Sequence, residues 1–251
     1  MKRLAFVFTI LLIVPAWGVA EENHRQLSLA FLDAAREGRS QDLIELLDNG
    51  VSIRTRNRFG NTALIYAARA CHRDLLELLI ERGADVNQAN LNGNTPLYEV
   101  AKGGHVTCLR ALLDRGADPN LVTIKNISPL MVAIYNGHTQ LAQSLLAEGA
   151  RVDYVDNSGK GAAVYAAAAD EPETLAAILD AGADVNGRYG NDLTALMWAA
   201  GYGANEAARV LLQRGADPNL TDNRGETALT RASRGGHEET VSLLIESGSD
   251  K

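Results

Sequence analysis

Two cysteines, Cys71 and Cys108, are all that the 251 residues contain, too few for a fold stapled by disulfides. Aromatic residues make up only 5% of the chain, which leaves no room for a core built on large rings. Basic residues are outnumbered, with 24 Lys and Arg against 31 Asp and Glu and a net charge of -7. Proteins that neutralise nucleic-acid phosphates over a broad surface are normally basic, so this balance argues against nucleic acid as a partner. Also missing are Gly-x-Ser-x-Gly, a phosphate-binding loop, Cys-x-x-Cys and His-Glu-x-x-His. These are the patterns through which nucleophilic, nucleotide-dependent, redox and zinc chemistry announce themselves. Adjacent carboxylates such as Glu238 and Glu239 read as a solvated helix face. The expectation is a protein that is not an enzyme and needs no cofactor.

Long apolar runs are equally scarce, with one exception at the start. Lys2 and Arg3 precede the uncharged run Leu4 to Val14, and Pro15-Ala16-Trp17-Gly18-Val19-Ala20 follows. This is the pattern of a secretory leader, with Gly18 and Ala20 as the small residues before a cut expected after Ala20. About eleven apolar residues are too few to span a bilayer. No Cys follows the cut to accept a lipid, and the very short basic start has a bacterial look. Residues 1–20 are therefore set aside as a leader. The mature chain is expected to be monomeric, without a membrane span, and periplasmic or secreted. It keeps 22 basic and 31 acidic residues, or -9.

What is abundant is repetition. Gly50, Gly83, Gly116, Gly149, Gly182, Gly215 and Gly248 fall 33 residues apart, and a second ladder of the same period runs through Thr62, Thr95, Ser128, Gly161, Thr194 and Thr227. A hydroxyl residue caps a first, alanine-rich helix, and proline at the first helical position, as in Thr95-Pro96, suits the missing amide hydrogen there. Gly-His pairs such as Gly104-His105 and Gly137-His138 turn the chain into a second helix with paired apolar residues. The recurrent glycine ends that helix in the left-handed region. Asp, Asn and Gly residues then form a tight turn.

A period of 33 with turn, helix and helix, and with the words Thr95-Pro96-Leu97 and Gly83-Ala84-Asp85-Val86-Asn87, closely resembles the ankyrin repeat. The resemblance implies an all-α repeat solenoid over residues 21–251. A helical N-terminal cap is expected at about 24–50, followed by units starting near Arg58, Leu91, Ile124, Asn157, Gly190 and Asn223. Departures from the pattern are visible. The usual His after Pro-Leu is replaced by Ile65, Tyr98, Met131, Val164, Met197 and Thr230, and Asn126 and Asp192 stand where turn glycines should be. Gly161-Ala162-Ala163 lacks both cap and core Leu, and Asp170-Glu171-Pro172 replaces Gly-His. The unit from Asn157 to Gly182 is therefore expected to be the weak link of the array.

His72, His105, His138 and His237 occupy one position in their repeats, about 10 Å apart for stacked helices. That is too far for a shared zinc ion, and a positional role is expected. Cys71 replaces the turn glycine of its unit and Cys108 lies in the second helix of the next. Stacking of adjacent units could bring the two together in a disulfide, but separate thiols are the preferred reading, since a bridge requires α-carbons within about 7 Å.

In the ankyrin architecture, binding is expected on the turn tips and the outward side of the first helices. Counted from the hydroxyl register, positions six, four, three and one before it and four, seven and eight after it carry Arg56, Arg58, Arg69, Lys102, Lys125, Lys160, Arg188, Arg224, Arg231 and Arg234. Their acidic members are Glu99 and Glu226 alone, so ten basic and two acidic residues give +8 and leave -17 for the rest of the mature chain. The same positions hold Phe59, Tyr66, Tyr135, Tyr165, Trp198 and Tyr202, and aromatic residues beside arginine are common interface anchors. Trp198 and Tyr202 share a helix face, with a recess expected beside Ala168 and Ala169. Ile124 and Ile127 read as exposed at an irregular tip. The expected function is a non-catalytic module that binds an acidic protein, as an inhibitor, immunity or protective factor. An anionic polymer, polysaccharide or nucleic acid, in the basic groove is the alternative.

Overall fold

The structure, a computed structural model, describes residues 16–248. The expected leader run Leu4–Val14 lies outside the described residues. A long first helix, α1 (Ala16–Glu37), pairs with α2 (Ser40–Asp48), and six helix pairs follow. They are α3 (Ala63–Ala70) with α4 (Arg73–Glu81), α5 (Pro96–Gly103) with α6 (Val106–Leu113), and α7 (Pro129–Tyr135) with α8 (Thr139–Ala147). Then come α9 (Ala162–Ala168) with α10 (Pro172–Asp180), α11 (Ala195–Tyr202) with α12 (Asn205–Gln213), and α13 (Ala228–Gly235) with α14 (Glu238–Glu246). Odd-numbered helices pack on their odd-numbered neighbours, and α4, α6, α8, α10, α12 and α14 form a second layer behind them. Fourteen α-helices and no strand occur among the described residues, in an all-helical repeat stack.

Local chemistry explains each unit. The hydroxyls of Thr62, Thr95, Ser128, Thr194 and Thr227 accept from the backbone N–H three residues on, so the caps form without the missing His. Alanines at 63, 67, 68, 101, 133, 166, 167, 199, 200 and 232 are fully or almost fully buried between the inner helices. The leucines of the second helices, among them Leu76, Leu79, Leu112, Leu145 and Leu211, close the other side of the same continuous core.

Neighbouring units are also tied by polar bonds that recur with the period. Nε2 of His72, His105, His138 and His237 lies 3.0 to 3.3 Å from the carbonyls of Arg36, Arg69, Lys102 and Gly201. A carbonyl only accepts, so Nε2 must carry the proton. The ring lies so close to the preceding unit that a side chain at Gly104 would come within 2.6 Å of His138. Asn87, Asn120, Asn186 and Asn219 each donate to a glycine carbonyl of the next unit, at Gly116, Gly149, Gly215 and Gly248.

One expectation is overturned. Cys71 and Cys108 are joined in a disulfide with α-carbons 5.8 Å apart, not held as separate thiols. Cys71 sits in the left-handed cap after α3 (φ 51°), and that geometry aims its sulfur at α6. Closing a loop of this length removes about 4 kcal/mol of unfolded-chain entropy in the simplest treatment. Replacing both cysteines by Ala is expected to lower the stability of the first units by about 2–4 kcal/mol. Urea denaturation read by hydrogen exchange at α3 to α6 checks this, and unchanged protection there would exclude a structural bridge.

The unit from Asn157 to Gly182 lacks most of the shared bonds. Gly161 offers no side-chain cap to α9. Asp153 pairs with Arg151 where the asparagine ladder would continue, and Glu171 and Ala204 stand at histidine positions. Close packing explains the glycine at 161, where a methyl group would meet the Tyr189 ring at 2.5 Å. Some replacements exist: Asp170 accepts from Ala207 N at the start of α12, 2.8 Å away. Amides of α9 and α10 should still exchange faster than those of α5, α6, α11 and α12 under native conditions. Equal protection in the three units would show that the substitutions are fully compensated.

Candidate functional site

Four of the six tips are each built by one side chain. Oδ1 of Asn57, Asn90, Asp156 and Asp222 accepts two backbone N–H groups, two and four residues ahead, which folds the chain into the turn. Asn126 and Asp192, in place of glycine, do adopt the left-handed conformation, at φ 60° each. Successive tips are linked by backbone bonds, from Leu91 N to Phe59 O, Ile124 N to Asn92 O, Asn157 N to Lys125 O, Gly190 N to Gly159 O and Asn223 N to Asn191 O. The tips therefore form one edge rather than six independent loops.

The residue that folds a tip also grips the helix behind it. Asn57 Nδ2 donates to Tyr66 Oη at 2.8 Å, Tyr165 Oη donates to Asp156 Oδ2 at 2.5 Å, and Arg231 reaches Asp222 Oδ2 at 3.4 Å. Tyr66 and Tyr165 thus have structural ties as well as partly exposed rings.

Electrostatics on this face are less one-sided than the sequence count. Arg69 makes a double hydrogen bond to Glu99, at 3.0 Å for each contact, and Glu99 is only 3% exposed. Burial opposes ionisation of Glu99, but Arg69 and the Asn94 amide outweigh it and hold the carboxyl below the ordinary range. Arg231 pairs with Asp222 and Glu226, and Arg234 binds Glu226. Asp156 and Asp222 lie directly beneath the face and were not in the count. Burial opposes their ionisation too, yet the hydrogen bonds they accept hold both below the usual value. With four carboxylates against ten basic residues the face carries +6, not +8.

The remaining basic residues divide by position. Arg56 bonds Gln88, Arg58 lies over the Phe59 ring at 4.7 Å, and Arg188 donates to the Thr221 carbonyl. Lys102, Lys125 and Arg224 are exposed, and no carboxylate lies within ion-pair distance of them or of Lys160 among the described residues. Lys160 Nζ stands 5.8 Å from the Tyr165 ring centre and 5.1 Å from that of Trp198.

The aromatics form a stripe across α7, α9 and α11. Tyr135 meets Tyr165 edge-on at 5.8 Å, Lys160 bridges to Trp198, and Trp198 stacks on Tyr202 at 6.0 Å. Tyr135 is 72% exposed and Tyr202 60%. Beside the stripe, between α5, α7 and α9, opens a recess of about 380 Å³ with Tyr98, Ile127, Met131, Tyr135 and Tyr165 on its walls and Lys102 and Lys160 among its lining residues. It lies nearer the N-terminus than the recess expected beside Ala168 and Ala169. On the tip edge, Phe59, Leu91 and Ile124 stand out into solvent, whereas Ile127 packs against the core.

Comparison with known proteins now bears on this arrangement. The family model described as ankyrin repeats (3 copies) matches residues 31–123, 118–189 and 186–251. The chain belongs to the ankyrin-repeat family. The crystal structure of the human ASB11 ankyrin repeat domain is similar to it, with a TM-score of 0.75 and 27% identity, over 85% of this chain and 96% of that one. No curated protein matches the sequence. Ankyrin repeats are interaction modules that bind protein partners, and the fold is typically non-enzymatic. No described helix of this ankyrin protein is long and apolar enough to cross a membrane.

Sequence reasoning missed Leu91, Tyr98, Met131, Asp156 and Asp222 on this face of the ankyrin stack. The two aspartates had a readable signal, a carboxylate nine residues before a Tyr or Arg. Replacing Glu99 by Gln should cost about 1–2 kcal/mol at neutral pH, discounted because Arg69 is 46% exposed. The depressed carboxyl stabilises the fold above its unfolded pKa, about 4.3, and this contribution fades as pH falls through the folded value. The gap between parent and variant in urea titrations should therefore close in acid. A gap that persists at about pH 2 would assign it to packing rather than charge.

Proposed function

We propose that this ankyrin protein is an exported, non-catalytic binding module, monomeric and acting in the periplasm or outside the cell. It holds an acidic protein on its inner face and so masks or protects that partner, as an inhibitor, immunity or protective factor. The observation that carries the reading is the interleaving of Arg56, Arg58, Lys102, Lys125 and Lys160 with Phe59, Tyr135, Trp198 and Tyr202 on one face, none of these basic groups being ion-paired within the described chain. Buried positive charge would be costly, but these groups are solvated and available, and they complement a negative surface. The leader pattern and the Cys71–Cys108 bridge support export, since disulfides persist in oxidising compartments.

A second reading has its own observation. Arg56 and Arg58, Lys125, Arg188 and Arg224 stand at four of the six tips, and such a row suits an anionic polymer. Binding that collapses steeply with salt and ignores the aromatics would favour it.

Capture from periplasmic extract with the mature chain should yield an acidic protein. Converting Arg56, Arg58 and Arg188 to Glu is expected to slow its association and weaken the salt dependence. Trp198→Ala and Tyr202→Ala should each speed dissociation, costing on the order of 2 kcal/mol. Glu238 and Glu239, reversed to Lys, should change little. If folded inner-face variants bind as well as the parent while the Glu238/Glu239 variant loses the partner, the face is wrongly assigned.

A further inference from the structure

We infer that the recess between α5, α7 and α9 is the anchor point of the inner face, and that it takes one large apolar side chain from a segment of the partner in which carboxylates flank that residue. This rests on the reading of an acidic protein partner and adds where, and through which residue, it is held.

Three features point to such an occupant. First, the walls are apolar and aromatic but not closed: Met131 and Tyr98 line the base, at 1% and 9% exposure, while Tyr135 rises beside them at 72%. A space of about 380 Å³ open to solvent is of the size that a side-chain anchor fills when an interface forms. Second, the position is set by backbone that cannot shift cheaply. Ser128 caps α7 through Met131 N, and Tyr165 is held by Asp156, so the recess exists before any partner arrives. Third, the uncommitted charge around it has one sign. Lys102 and Lys160 line it and neither carries an ion pair among the described residues, whereas the carboxylates beside it are already engaged, Glu99 by Arg69 and Asp156 by Tyr165. An apolar residue among carboxylates matches this pattern, whereas one among lysines would be repelled. The Tyr98 hydroxyl makes no hydrogen bond within the described chain, and its ionisation is opposed by burial and by Glu99. It stays a neutral donor at the wall of the recess.

The chain supplies its own reporter. Met131 and Met197 are the two methionines beyond the start residue, one lining the recess and the other buried on α11. The mature chain, labelled with ¹³C at methionine methyls, would be titrated with a twelve-residue peptide carrying a central Trp among Asp and Glu. The controls are the same peptide with Ala for Trp, and the same Trp among Lys. Met197→Leu assigns the two signals. The acidic Trp peptide should shift the Met131 methyl by ring current and leave Met197 unmoved. Affinity should fall about tenfold with the Ala peptide, and about as much in Tyr135→Ala and in Lys102→Glu/Lys160→Glu, all at surface positions that leave the fold intact. Salt-dependent binding without a Met131 shift, or with equal affinity for the Ala peptide, would overturn the anchor while leaving an acidic partner in place. Equal binding of the Lys-flanked peptide would overturn the charge requirement, and no binding of any peptide at millimolar concentration would overturn the site itself.

Discussion

Neighbouring inner helices meet through alanine, and the rest of the molecule depends on that contact. A helix of seven or eight residues is too short to persist alone in water, and each unit has only one apolar stripe on either side. Small side chains at Ala67, Ala68, Ala101, Ala133, Ala166, Ala167, Ala199 and Ala200 let successive helices approach closely, so the leucines behind them seal a continuous core. Stability then accumulates from one interface to the next, as expected of a one-dimensional array.

Polar ties refine this stacking rather than create it. The histidine-to-carbonyl bonds, the asparagine ladder and the linked tips each join one unit to the next at a fixed offset. Where Asp153 and Glu171 interrupt the asparagine and histidine ties and Gly161 leaves α9 without a side-chain cap, the tip bonds remain, and aromatic bulk from Tyr189 and the bond from Asp170 to α12 stand in. The disulfide does the opposite at the other end, adding a covalent link where Cys71 has displaced a turn glycine. The array is thus braced unevenly, with its covalent brace in the first units and its most interrupted unit just past the middle.

That unevenness matters for recognition because the inner face uses its charged residues in two ways. Arg69, Arg231 and Arg234 are spent on Glu99, Asp222 and Glu226 and help to hold tips and helices in place. Arg56, Arg58, Lys102, Lys125 and Lys160 lack such carboxylate partners and lie along the aromatic stripe or the tips. Arg188 and Arg224 are likewise without a carboxylate among the described residues, so basic groups free of ion pairs run from the first unit to the last, alongside the stripe of Tyr135, Tyr165, Trp198 and Tyr202.

The sequence by itself determined the period, the helix pairs, the caps and the turn glycines, because each of these is a local preference repeated at 33 residues. It also placed the aromatic residues on one face, since a fixed offset in every unit means a fixed side of the stack. Only the tertiary structure decided what depends on contacts between units. Whether Cys71 met Cys108 turned on the left-handed cap that aims one sulfur across a 5.8 Å gap between α-carbons. Which arginines were already paired, and where a recess opened, turned on Asp222, Asp156 and Met131, whose roles arise from neighbours 9 or about 33 residues away. Local propensity is written in adjacent residues, whereas the pairing of charges and the shape of a cleft exist only once the units have stacked.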